Sequence, residues 1–488
     1  MNTKKLRIVL FAFSISFLGC DNYLSELPDN RTTIDSPEKI AALITGAYPN
    51  GNYMFMASLM SDNAREKFFS GGNQLDQQVY NWEDSNLEDL DSPVFYWNSC
   101  YEAIAQANQA LASIAAFETQ FSLDNQKGEA LLARAYAHFM LVNFWGKAYN
   151  PETANTDLGI PYVLTPETTL IKNYKRNSVQ EVYDFIEQDL IEGLALVGND
   201  YDEPKFHFTK DAGHAFATRF YLYKGDWDKV IEHANKVIAN PLLEIRDDLS
   251  YRQLTFDEVI RTYPSATERT NLLLVSTFTL WSRTYAGSRF GINQDIQNEL
   301  FTTGNPHQKG WAYRVFGTDL FFNIPKFEEF FKITNQSAGT GLPFVGIVLF
   351  DKDEVLLNRA EAYAMKQDYE NAIDDLSNFL QLKTTNFNQA TDVLTINNLA
   401  RDYPPILGEF SPYYSLNALQ TVFAKSISAF RRREYFHEGL RWFDIKRFHL
   451  AVNRTYNGSP VTLKKEDVRK QLQIPRSAQN FGLVPNPR

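Results

Sequence analysis

The densest run of groups that could do chemistry lies near the C-terminus, at Arg431–Arg447, where arginines alternate with Glu434, His437, Glu438 and Asp444. Such a mixture could hold an anion or pass a proton. Helical spacing argues for a structural role instead. Phe430, Phe436 and Leu440 take inward positions, leaving Arg432, Arg433, Glu434, Arg441 and Asp444 to pair with each other or with helix ends. Motifs that announce catalysis are missing. The seven histidines make no HExxH, and neither GxSxG nor a P-loop occurs. Acid pairs such as Glu83/Asp84 and Asp374/Asp375 are adjacent, and successive residues on a helix point apart. The sequence therefore assigns no catalytic residue, no metal ligand and no cofactor. It predicts a protein that is not an enzyme.

The aromatic rings offer a different chemistry. They make up 14% of the chain, with 25 Tyr and 37 Phe. Sugars present C–H faces that stack on flat rings, while their hydroxyls seek Asn, Asp, Arg and Gln. Three places supply both kinds of group. Trp82 lies beside Asn81 and Asp84; Trp281 and Tyr285 have Arg289 and Asn293 nearby; Trp311 precedes Tyr313. These are the candidate ligand-binding residues, and for each ring the alternative is packing inside its own lobe. Trp97, Trp145, Trp227 and Trp442 fall at helical or C-terminal motif positions and are assigned to the core or to partner contacts.

The elements that must position these groups are helical. In Ala215–Pro241, residues Trp227, Val230, Ile231, Ala234, Val237 and Ile238 share one helical face, and Lys224-Gly225-Asp226 reads as a stop, turn and restart. Tyr369, Ala372, Ile373, Leu376, Phe379 and Leu380 repeat the same offsets in Ala360–Leu380. Two such units predict tetratricopeptide-like helix pairs. Further helices are predicted from Ser36-Pro37, from Ser92-Pro93, at Gly128–Trp145, from the Ser178/Glu181 capping box, at Thr209–Lys224, from Asp353 and at Leu416–Glu438. The helix opened by Ser178 is expected to pair with Thr209–Lys224. Two stretches break the pattern, 61–91 as a long loop and 241–350 as an irregular lobe with strand-like LLLVSTFTLW and Gly-rich GTGLPFVG.

The N-terminus reads as an address. Lys4, Lys5 and Arg7 precede an apolar run, Ile8–Leu18, that is too short to span a bilayer and ends at Gly19-Cys20. This predicts a signal over 1–19, lipid on Cys20, a polar tether over 20–35 and a single domain over 36–488. With Cys20 lipidated, Cys100 has no intramolecular partner and reads as a small buried hydrophobe. The net charge of −11 gives no basic footprint for nucleic acid.

In their order these fragments resemble the SusD/RagB family of Bacteroidetes surface lipoproteins. The series runs from the lipobox Cys20 through Trp97-x3-Tyr101-x2-Ile104-x3-Asn108, Gly128-Glu129-Ala130, Gly159-Ile160-Pro161 and Gly225-Asp226-Trp227. It continues through Asn358-Arg359-Ala360-Glu361-Ala362 to Arg432-Arg433-Glu434-x3-His437-Glu438-Gly439-x-Arg441-Trp442-Phe443-Asp444. One departure is Asp351-Lys352, where a more basic or aromatic strand end is expected. The resemblance implies a mainly α fold of about four tetratricopeptide-like pairs carrying an irregular ligand-binding lobe. It also implies a lipid-anchored protein at the outer-membrane surface that captures an oligosaccharide for a SusC-like TonB-dependent transporter. A peptide ligand, or a protein-interaction scaffold without a small ligand, are the alternatives.

Overall fold

The computed structural model describes residues 34, 36–68, 71–167 and 172–488. The expected signal, Cys20 and nearly all of the tether lie outside them. Ser36 caps α1 (Pro37–Ile44), with proline in its first turn. After α2 (Met54–Met60) comes β1 (Arg65–Glu66) and then a helix that the aperiodic 61–91 stretch did not announce, α3 (Gln74–Tyr80), capped by Asn73. Ser92 opens α4 (Pro93–Phe117), accepting from the Phe95 amide at 3.0 Å, and α5 (Asp124–Trp145) follows. The predicted Ser178/Glu181 box opens α6 (Val179–Leu196).

The expected partner of α6 needs correcting. Helix α6 packs chiefly on α5 and only lightly on α7 (Lys210–Lys224). Two glycines explain the choice. A Cβ on Gly128 of α5 would lie 2.4 Å from the Val197 amide, and one on Gly193 would lie 2.9 Å from Leu132, so these backbones meet where side chains cannot fit.

The turn that the repeat reading centred on is present. Gly225 ends α7 at φ +78°, and Asp226 caps α8 (Trp227–Val237) by accepting from the Lys229 amide. Val230, Ala234, Val237 and Ile238 are buried, with Trp227 and Ile231 half-buried. A Cβ at 225 would lie 2.0 Å from Tyr413 Oη, which donates to the Lys224 carbonyl at 2.7 Å. Gly225→Val is accordingly expected to cost about 2–4 kcal/mol in urea unfolding. An unchanged midpoint would contradict this account of the turn. In the second unit, α9 (Lys352–Met365) and α10 (Tyr369–Lys383) are joined through Gln367 at φ +64°, with Asp368 as the cap.

Helix α9 packs on α7, α8 and α11 (Ala418–Glu434), and α11 packs on α12 (Leu440–Arg447). The helix expected to reach Glu438 stops at Glu434, and the link to α12 passes through left-handed His437, at φ +74°, and Gly439, at φ +79°. Between α8 and α9 the 241–350 lobe contains short helices and one antiparallel sheet. Its strands are β2 (Asn271–Phe278), β4 (Glu329–Asn335) and β5 (Thr340–Asp351), with β5 in the centre. A two-residue strand, β3 (Phe290–Gly291), pairs with β1 and so ties the lobe to the first interruption. Asp351 ends β5 and caps α9, accepting from the Glu354 amide at 2.8 Å. That double role accounts for the Asp-Lys at the strand end. A hairpin, β6 (Val452–Tyr456) and β7 (Ser459–Leu463), precedes a C-terminal segment that lies along the body, where Asn486 donates to the carbonyls of Trp145 and Leu472.

One buried apolar cluster runs from Ile40 to Leu483. Cys100 lies within it, and burial raises its thiol pKa far above the ordinary range. The charged run at Arg431–Arg447 is buried as well, but its partners lie mostly elsewhere than expected. Arg441 grips Asp62 with two bonds of 2.8 and 2.7 Å, and Arg432 reaches Glu299 at 2.5 Å. Arg447 holds Glu361 and Asp444. Burial pushes the Asp62 pKa up, but Arg432 and Arg441 outweigh it and hold that carboxyl well below its usual range. Lys383, fully buried at the end of α10, binds Asp248, Asp353 at 2.9 Å and Glu434 at 3.1 Å.

Candidate functional site

The sequence-selected rings sit inside the protein. Trp82 is 5% exposed; its Nε1 donates to the Met60 carbonyl at 2.8 Å, and the Arg454 guanidinium covers its face at 3.9 Å. Trp281 and Tyr285 are each 2% exposed and pack together with Phe55 and His437. Arg289 is buried, pairs with Glu66 and donates to Asn457. Asn293 caps a short helix through the Ile296 amide at 3.1 Å, and Trp311 is wedged between Arg433 and Phe430. Asn81 stands at the C-terminal end of α3, and exposed Asp84 pairs with Arg488.

The structure does not bring these residues into one surface. A ring whose faces are already covered has no face to offer a sugar, so the indoles anchor the lobe rather than present it. What defeated the reading is that Trp and Tyr combine the largest apolar area with one polar atom. A buried loop junction rewards that combination as much as a ligand does.

The two interruptions are pinned together by Asp91. Its carboxyl accepts from Thr279 Oγ1 at 2.5 Å and from the Leu280 amide at 2.8 Å. Burial raises its pKa to about 7. The native state thus keeps this proton while the unfolded chain loses it, so stability falls as pH rises from about 4 to 7 and is flat above. Asp91→Asn is expected to remove that slope and to be as stable as the parent, or about 1–3 kcal/mol more so, at pH 8. A variant with the parent's slope would show that Asp91 is ionised in the fold.

Partly exposed rings converge on the face of the three-stranded sheet. Phe278 of β2, Phe344 of β5 and Phe330 of β4 lie in one register row across the strands, and Phe330 stacks on Phe344 at 5.5 Å. They lie in or beside a groove of about 540 Å³, within the roughly 300–1,000 Å³ usual for small-molecule sites. One wall is the turn after α1, at Thr45, Gly46, Tyr48 and Asn50; the other is Phe206-His207. Phe206 is 46% exposed, and Lys332 reaches over Phe278.

Backbone bonds fix both walls. The Phe278 amide donates to the Asn50 carbonyl at 2.7 Å, and the Phe208 amide to Tyr48 Oη at 2.9 Å. Behind them, Glu129 accepts from Tyr48 Oη at 2.7 Å and contacts His207 Nδ1 at 2.8 Å. Gly51 touches Phe278 backbone to backbone, and a Cβ there would come within 2.7 Å of Ser99 Oγ. The result is a rigid trough with flat rings, hydroxyls, an amide, an imidazole and one ammonium. Sequence reasoning passed over these phenylalanines. Their signal was in Phe330-Phe331-Lys332-Ile333, where apolar residues at both strand parities cannot all face one core.

Fifty-eight solved chains match this fold. Among them is a SusD superfamily protein from Bacteroides thetaiotaomicron VPI-5482, 19% identical, with TM-score 0.67 over 93% of this chain and 100% of that one. A SusD superfamily protein from Bacteroides fragilis is 19% identical, with TM-score 0.64 over 92% and 98%. A SusD-like carbohydrate binding protein from Bacteroides vulgatus ATCC 8482 is 17% identical, with TM-score 0.62 over 91% and 96%. The helical scaffold with its inserted lobe is therefore the SusD-superfamily fold. Residues 22–222 match the SusD-like family model described as starch-binding, associating with the outer membrane. The N-terminal two-fifths of the chain thus resembles the SusD-like family in sequence, and the described fold resembles SusD superfamily structures. Among curated proteins none matches it. No helix of the described residues is long and apolar enough to cross a membrane.

Proposed function

We propose that this chain is a cell-surface lipoprotein, anchored through lipid on Cys20 after removal of residues 1–19 and joined by a 20–35 tether to a single 36–488 domain. In this reading it binds an oligosaccharide in the sheet groove, without chemistry, and passes it to a SusC-like TonB-dependent transporter. The observation that carries the ligand is the groove itself, where Phe206, Phe278 and Phe344 stand beside hydroxyls and Lys332. The family description supports a starch-like glycan at the outer membrane. The absence of reaction is supported by Asp353, Asp62 and Glu361, which are spent on ion pairs with Lys383, Arg441 and Arg447.

The test is calorimetric titration of the lipid-free protein with a panel of oligosaccharides, starch fragments first. Phe206→Ala and Phe344→Ala are each expected to weaken binding by about 1–2 kcal/mol while the melting temperature changes little. Glycan binding that ignores both substitutions would move the ligand elsewhere on the protein. A second reading has its own observation. Edge strand β4 leaves Phe330, Phe331 and Ile333 about half exposed beside the groove, and an extended peptide could pair with that free edge. Binding of peptides, with none of the glycans, would select it.

A further inference from the structure

Away from the groove, lysines gather where the chain after β7 meets the helical body. A pocket of about 250 Å³ opens there, walled by the residues after α5, the end of α12 and the 465–471 segment. Lys446 of α12, 5% exposed, donates to the carbonyls of Asn143 and, at 2.8 Å, Gly146. Lys470, 7% exposed, donates to those of Leu450 at 2.7 Å and Lys465 at 2.6 Å. An ammonium has three N–H groups, so each keeps one that these carbonyls do not take. Among the described residues no carboxylate pairs with either, whereas buried Lys383 has three. Lys465 lines the same pocket and donates to Ser411 Oγ at 3.1 Å.

The acids in the pocket wall already have partners. Asp157 accepts from Lys147 and Thr153, Asp467 is held by Arg469 at 2.8 Å, and Glu466 contacts His449 at 2.9 Å. The carbonyls at the end of α5 offer Lys446 about half a negative charge. Two ammoniums therefore stay short of counter-charge in the interior, where an unpaired cation is costly. A neutral donor stands with them. The side-chain amide of Gln471, 7% exposed on the same wall, holds no partner among the described residues. We infer that this pocket binds a small tetrahedral oxyanion, inorganic phosphate or the phosphate group of a monoester, between Lys446, Lys470 and Gln471. Half-buried Lys465 adds a third positive charge beside it. Burial, and then Lys470, lower the Lys446 pKa to about 7; burial lowers Lys470 to about 8, against the pull of Glu466 and Asp467. A bound anion favours the charged form of both, so binding takes up protons above neutral pH.

The experiment titrates the purified protein at low salt with inorganic phosphate, glycerol phosphate and sulfate, following heat. The expected result is one equivalent with a dissociation constant below about 1 mM, and at least tenfold weaker binding in Lys446→Met and Lys470→Met. Lys236→Met, which removes a surface lysine of α8, should leave the affinity unchanged. Sulfate has no proton to lose at pH 8, so its binding there should take up protons, read as a heat that changes with the buffer. Phosphate bound more tightly than the ester identifies a free anion, and the reverse an anion carried on a larger ligand; either supports the site. Failure of all three to bind, an equal loss in Lys236→Met, or binding without proton uptake overturns it. If Lys446→Met fails to fold, Lys470→Met and Lys465→Met decide, and unchanged affinity in both overturns the assignment.

Discussion

Lys383→Met is expected to destabilise the protein by about 3–5 kcal/mol at pH 7.5, among the largest effects any single substitution should produce here. The side chain is fully buried and is the shared partner of Asp248, Asp353 and Glu434. Asp248 comes from the lobe, Asp353 from α9 and Glu434 from the end of α11, so this one ammonium joins the lobe to the scaffold. Burial acts to lower the pKa of Lys383, but the three carboxylates together override it and lift the value well above that of an ordinary lysine. Its contribution is therefore fully present below the unfolded lysine pKa, across the whole neutral range.

Methionine keeps the length and removes the charge, stranding three carboxylates in the interior. Two of them are already under strain, since burial raises both Asp248 and Glu434 even with Lys383 present. In the variant the folded state must take up protons that the unfolded chain does not. Its stability deficit should then shrink toward pH 5 and widen toward pH 8. Urea unfolding at the two pH values measures this. A deficit below 1 kcal/mol, or one equal at both, would mean that the acids find other partners.

Trp281→Ala is the second large effect, and it separates two roles for the same ring. Packed against Phe55, Tyr285 and His437, with Nε1 donating to the His437 carbonyl at 3.3 Å, the indole leaves a large cavity when removed. The expected cost is about 3–5 kcal/mol of folding free energy. Ligand affinity per folded molecule should stay near the parent value. A ring that stacked on a sugar would give the reverse, weak binding with normal melting. That reverse outcome would return Trp281 to the ligand site and displace the phenylalanine groove.

Local rules carried most of the scaffold. Ser36, Ser92, Ser178 and Gly225 act where short-range chemistry decides, and each does what its type dictates. Packing choices between helices were less legible. That α6 prefers α5 depends on Gly128 and Gly193 meeting across 65 positions of sequence, a contact no periodicity reports. Helix α3 was hidden because seven residues give too few turns for a face to show. The proposed ligand surface is the least legible part. The partial exposure of Phe278 and Phe344 is set by which strand pairs with which, whereas Trp82, Trp281 and Trp311 stand out for what their rings could do in isolation.

The strand at the centre of the sheet runs into α9 without a single intervening residue, Asp351 serving both. A platform joined in that way cannot swing on its support as a lid on a hinge does. Under the proposed function, capture then needs little rearrangement of the protein, so the conformational entropy surrendered on binding is chiefly the ligand's own. Encounter should be correspondingly fast, limited by diffusion and orientation rather than by a slow closing step. Release, by the same reasoning, has to be driven from outside, by whatever competes for the ligand.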